Sequence, residues 1–143
     1  MQIDNPGRRL TTGDITAFES VAGAKLPPDY GQFLLQFNGG SPSPDTIDVP
    51  GAAGSPTDVQ TFFGLGRDVA SSNLDWNLAV MDERCPDYHL IPIACDSGGN
   101  LFCLNVEEGQ ATQIVYCELD VAEPVFHLVA PSFTQLLAAL RPL

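Results

Sequence analysis

Two apolar runs, residues 89–95 (HLIPIAC) and 101–106 (LFCLNV), bracket the pentapeptide Asp96-Ser97-Gly98-Gly99-Asn100. That arrangement constrains the chain more than any other, because glycines at the positive-φ positions of a short turn between two apolar runs specify an antiparallel hairpin. Pro92 lies inside the first run and lacks an amide hydrogen, so its strand is expected to leave at least that position without a ladder partner. A third run, QIVYCEL, follows a Glu-Glu-Gly turn, and a fourth, PVFHLV, follows Glu123 and Pro124. The middle and the end of the chain are therefore expected to form a mostly antiparallel meander.

Helical spacing appears on both sides of the meander. Residues 12–24 place Ile15, Phe18 and Ala22 on one face behind a Thr/Asp start, with Gly23 near the end. Pro27 and Pro28 suit the first turn of a second helix. Its apolar stripe is Tyr30, Phe33, Leu34 and Phe37, and Asn38, Gly39 and Gly40 end it. Residues 71–84 predict a third helix behind a Ser/Asn cap, and Ser132 caps a terminal one carrying Phe133, Leu136, Leu137 and Leu140 inward. Between them, Ser41–Thr57 is rich in Pro, Gly, Ser and Asp; it reads as a loop with at most one short strand and as the most mobile part. Val59–Leu65 reads as a strand. The 143 residues fit one domain, 1–143, of α+β class: a central, mostly antiparallel sheet flanked by helices at both chain ends.

Charge narrows the function. The chain holds 18 acidic and 6 basic residues, a net −12. Residues 26–140 contain two arginines against fifteen carboxylates, a net −13. Such a field opposes nucleic acid and anionic membranes and favours encounter with a basic protein; an acidic surface also serves solubility alone. The expected contact surface combines the Ser41–Thr57 loop with the third helix and its exit, where Asp45, Asp48, Asp58, Asp75, Asp82, Glu83 and Asp87 lie. No signal-peptide core or membrane span is evident, so a cytoplasmic setting is expected.

Motifs for catalysis or cofactors do not assemble. Asp96-Ser97-Gly98-Gly99 matches the nucleophile loop of chymotrypsin-like proteases, yet neither His89 nor His127 has the required setting and the chain is too short for two barrels. Gly64-Leu65-Gly66 lacks the Lys-Ser/Thr of a phosphate loop. Cys85, Cys95, Cys103 and Cys117 stand singly, without a CxxC pair, so neither zinc nor a disulfide is expected; Cys95 and Cys103 flank the turn and are the pair a hairpin would bring near each other. No metal, cofactor or catalytic residue is predicted.

The ordered series Glu19, Leu26-Pro27-x-Asp29-Tyr30, Phe33-Leu34, Asn38-Gly39-Gly40, Ile91-Pro92-Ile93-Ala94-x-Asp96, Gly99-Asn100 and Ser132-Phe133 with Leu137 resembles the SUKH superfamily, which includes the Smi/Knr cell-wall regulators of fungi. The resemblance implies a sheet flanked by helices, no catalytic activity, and structural roles for these motif residues. It further implies an immunity protein that binds and neutralises a cognate toxin domain, often a nuclease, and the acidic charge makes a basic domain the expected one. The alternative is a regulatory or scaffold module that binds a cellular protein or peptide. The oligomeric state is not legible in one chain.

Overall fold

A computed structural model describes all 143 residues. In chain order the elements are β1 (Gln2–Asp4), α1 (Thr12–Ala22), α2 (Pro28–Phe37), β2 (Ser41–Ser43), β3 (Thr46–Ile47), β4 (Thr57–Asp58) and β5 (Thr61–Phe62). A 3-10 turn at Ala70–Ser72 leads into α3 (Leu74–Arg84), followed by β6 (Leu90–Cys95), β7 (Leu101–Glu107), β8 (Gln110–Glu118), β9 (Val125–Ala130) and α4 (Phe133–Ala139). Strands β5 to β9 form one antiparallel sheet in sequence order, and β1-β2 and β3-β4 are small separate ladders. The architecture is α+β, as the pattern of runs predicts.

The meander forms because its turns are locally encoded. Gly99 takes φ 87° in the β6–β7 turn, and Glu108 and Gly109 both take positive φ, 51° and 76°, in the two-residue β7–β8 turn. Of the two glycines in the first turn, only Gly99 needs the left-handed region. Pro92 is accommodated as its missing amide requires. β5 pairs only Ala94 and Cys95, and the β6–β7 register shifts between Pro92 and Ala94.

Register defines two faces. Phe62, Ala94, Phe102, Tyr116 and His127 pair in series across the sheet, and so do Thr61, Cys95, Leu101, Cys117 and Phe126 one position along. Successive residues alternate sides, so the two rows point opposite ways. On the first side α2 and α4 close an aromatic core: Phe33 meets Phe62 at 4.9 Å and Phe133 at 5.0 Å, and Tyr30 meets Phe133 at 4.9 Å. These edge-to-face contacts suit ring quadrupoles. On the second side α3 packs along β6, with Cys85 beside Cys117 and Tyr88 against Phe126 at 4.7 Å. Phe18, Tyr30, Phe33, Leu34, Ile91, Ile93 and Phe133 are buried as expected, while Phe37 and Leu137 are half-buried at the core's margin.

The caps act where the sequence places them. Thr11 and Asp14 form a reciprocal capping box at α1, and Ser132 Oγ accepts from the Gln135 amide at 3.1 Å to start α4. Glu19 Oε2 accepts from the Leu26 amide at 2.7 Å, which fixes the α1–α2 connection. Asp29 Oδ2 accepts from the Thr134 amide and hydroxyl at 2.9 and 2.8 Å, joining the start of α2 to α4. Asn73 behaves differently from an ordinary cap. Its amide group donates back to Arg67, Val69 and Ala70 carbonyls and its Oδ1 accepts from the Arg67 amide, so it fastens the loop ahead of α3 rather than the helix itself.

Asn38-Gly39-Gly40 does more than stop α2. Asn38, at φ 51° and 1% exposed, donates from Nδ2 to the Arg8 and Leu65 carbonyls and accepts at Oδ1 from the Leu65 amide at 2.7 Å. Gly40 exchanges two backbone hydrogen bonds with Phe62. Three chain segments distant in sequence cross here, backbone against backbone.

Three expectations are corrected. The Ser41–Thr57 stretch holds two short strands, β2 and β3, and buries Thr46, Ile47 and Val49, because β2 pairs with the N-terminal β1 and β3 with β4. The Val59–Leu65 strand shrinks to Thr61–Phe62. Val59 and Phe63 are buried outside the ladder, which offers β5 only two residues of β6. Cys95 and Cys103 are also not neighbours: Cys95 pairs with Leu101, and Cys103 instead meets Cys117 of β8, Sγ to Sγ, at 3.5 Å.

Candidate functional site

The β6–β7 turn is held by two carboxylates, Asp96 at its start and Asp58 of β4. Asp96, 3% exposed, accepts from the Gly98 and Asn100 amides at 3.0 and 2.8 Å, from Thr57 Oγ1 at 2.8 Å, and from the Tyr116 hydroxyl. Four donors satisfy a buried charge that would otherwise be costly. Asn100 extends the network, donating to the Tyr116 hydroxyl at 3.0 Å and accepting from the Leu119 amide at 3.0 Å. Asp58 accepts from the Ser97 amide at 2.8 Å and from the Ser97 hydroxyl. Burial, and then the adjacent Asp96 carboxylate, push the Tyr116 hydroxyl far above its ordinary pKa, so it stays a donor.

The same network reaches α3. Arg84 at the end of that helix donates to the Leu119 carbonyl, whose amide is bound to Asn100. The exit of α3, the β8–β9 loop, the β6–β7 turn and β4 therefore gather at one end of the sheet. A depression of about 550 Å³ opens there, bordered by Asp45, Asp58, Ser97, Asn100, Tyr116 and Leu143.

The seven acidic residues expected to meet a partner divide in this frame. Asp45 is exposed at the rim of the depression and Asp58 is half-buried beside it, its carboxylate engaged by Ser97. Asp48 is paired with Arg141, Nε to Oδ2 at 3.0 Å and Nη2 to Oδ1 at 2.9 Å, and that guanidinium holds its carboxyl below the usual range. Asp75, Asp82, Glu83 and Asp87 are exposed on α3 and just after it. Asp75 lies beside a shallow recess of about 380 Å³ that also includes Trp76. Sequence reasoning missed Asp120 and Glu123, exposed on the β8–β9 loop, and the exposure of Trp76 and Val80. The acidic segment ELDVAEP between two strands was the available signal for the first pair.

Neither histidine is bonded to Ser97. The Ser97 hydroxyl is spent on Asp58; His89 Nε2 bonds the Ala22 carbonyl at 2.8 Å and His127 Nε2 bonds Glu118 at 2.9 Å. No cluster of three or more His, Cys, Asp or Glu side chains converges with metal-site geometry, and no helix is long and apolar enough to cross a membrane.

Comparison with known proteins places this fold. The chain is 25% identical over 148 aligned positions to the SPbeta prophage-derived uncharacterized protein YokK of Bacillus subtilis (strain 168), covering 91% of this chain and 74% of that protein. No solved structure matches the chain. The SMI1 / KNR4 family model matches residues 9–139, from just before α1 to the last turn of α4, and the chain therefore belongs to the SMI1/KNR4 family (SUKH-1).

Proposed function

We propose that this protein is an immunity protein that binds a basic toxin domain and blocks it without catalysis of its own. The observation that carries the reading is the one-sign charge of residues 26–140, a net −13, much of it exposed on α3, the β8–β9 loop and the rim of the depression. A family of generally non-enzymatic immunity proteins supports it. Complementary fields raise association rates and disfavour like-charged competitors. The carboxylates Asp45, Asp75, Asp82, Glu83 and Asp87 are the candidate contacts; Asp48 and Asp58, engaged by Arg141 and Ser97, serve mainly to hold the surface in shape. Co-expression with the toxin domain of any toxin gene found to adjoin this chain's own gene tests the reading, and a neighbourhood without one counts against it. Growth restored by the intact chain supports it, whereas growth arrest unrelieved by the chain returns the assignment to a scaffold module.

A further inference from the structure

α3 seats Leu74, Leu78 and Met81 in the core, and a helix so placed ordinarily fills its outer side with polar groups. Its outer side is divided instead. At about 100° per residue, Trp76, Val80 and Arg84 fall in one stripe, and Asp75, Ala79, Asp82 and Glu83 fall in the strip beside it. Trp76 is 46% exposed and Val80 39%. Arg84 at the foot of the stripe keeps its positive charge and donates from its guanidinium to the Leu119 carbonyl; the carboxylates Asp75, Asp82 and Glu83 of α3 and Asp120 and Glu123 of the β8–β9 loop outnumber it. That hydrogen bond also leads the stripe onto the β8–β9 loop, where Val121 is 43% exposed between Asp120 and Glu123.

An exposed tryptophan continued by aliphatic residues and bordered by carboxylates has the anatomy of an interface: an apolar centre with a polar, charged rim. Charge selects the occupant. A second copy would bring another net −12 against this surface, and nucleic acid or an anionic membrane would be repelled equally. A basic protein domain is attracted to the rim, and only a protein supplies an apolar patch for the tryptophan. Resting on the immunity reading above, we infer that the Trp76–Val80 stripe, continued by Val121, is the docking seam for an apolar patch ringed by lysine and arginine on the toxin domain. Trp76 is its anchor, as tryptophan often is at the centre of an interface. The flanking carboxylates Asp75, Glu83, Asp120 and Glu123 steer the approach.

The experiment uses the full chain and the toxin domain of whichever toxin gene is found to adjoin its own, inactivated at its catalytic residue, with rates read by surface plasmon resonance. Trp76→Ala is expected to weaken binding at least about 30-fold, chiefly through faster dissociation. Val80→Lys is expected to weaken it in the same way, and Glu83→Lys to slow association instead. Val21→Ala, on an exposed valine of α1, should bind as the wild type does. Melting curves confirm that each variant is folded, and Trp76→Phe should recover most of the affinity. If the wild type binds and both Trp76→Ala and Val80→Lys bind equally well, the seam is wrong while the immunity reading stands. If the wild type neither binds this domain nor protects cells from it, the immunity reading fails and the seam falls with it.

Discussion

Gly64 lies so close to Asn38 that a methyl group on its Cα would sit 2.2 Å from the Asn38 carbonyl oxygen. Gly7 approaches the same oxygen, and a Cβ there would lie at 2.6 Å from it. Because the obstructing atom is backbone at the end of α2, it cannot rotate away. Gly64→Ala is expected to destabilise by about 3 kcal/mol, the upper end for overpacking. Asn38→Gly keeps the left-handed backbone but orphans the Leu65 amide, and is expected to cost about 1–3 kcal/mol. Urea unfolding monitored by circular dichroism measures both; unaltered midpoints would show that the crossing contributes nothing.

Tyrosine ionisation adds to an alkaline loss of stability that the raised thiols of Cys85, Cys95 and Cys103 begin at lower pH. Burial raises the pKa of Tyr30, whose hydroxyl has no hydrogen-bond partner, and burial together with Asp96 raises that of Tyr116. A folded-state pKa above the unfolded value of about 10 means that the unfolded chain loses these protons first. The stabilisation is complete below about pH 10 and is lost as pH rises beyond it. The melting temperature should fall steeply above that pH, and Tyr116→Phe should make the alkaline fall shallower while lowering stability near neutrality. A melting temperature that holds steady through pH 11 would contradict this.

The thiols should separate by accessibility. Cys85, Cys103 and Cys117 are buried, and burial pushes the Cys85 and Cys103 thiols up, which suppresses the reactive thiolate. Cys95 is partly exposed, with its thiol also raised by burial and by Asp96. Titration with a disulfide reagent at about pH 8, near the free-thiol pKa, should find at most one slow thiol in the folded protein and all four after unfolding. Rapid reaction of all four in the folded state would overturn the packing of α3 on the sheet.

Features set by neighbours in sequence were legible. The Thr/Asp start of α1, the Ser132 cap, the Tyr30–Phe33 stripe and the glycine turn before Leu101 each depend on a few adjacent residues, and each forms as read. Features set by distant partners were not. β1 is a three-residue strand whose ladder is supplied by Ser41–Ser43, and Asn38 reads locally as a helix stop although its function depends on Arg8 and Leu65. The candidate surface follows the same rule. Its carboxylates are countable in the sequence, but the neutralisation of Asp48 by Arg141 and the use of Asp58 to hold Ser97 arise from residues 93 and 39 positions away. Trp76 falls at helical spacing beside the core positions, and only packing shows that it faces outward.

The central claim, that the acidic surface captures a basic toxin domain, is tested most directly by stopped-flow association rates with that domain as salt is raised. Between roughly 0.1 and 1 M the Debye length shrinks from about 10 to 3 Å. The association rate is expected to fall about tenfold or more across that range, and further when Asp82, Glu83 and Asp87 are reversed to lysine, with the melting temperature unchanged. An association rate indifferent to both salt and charge reversal would contradict it.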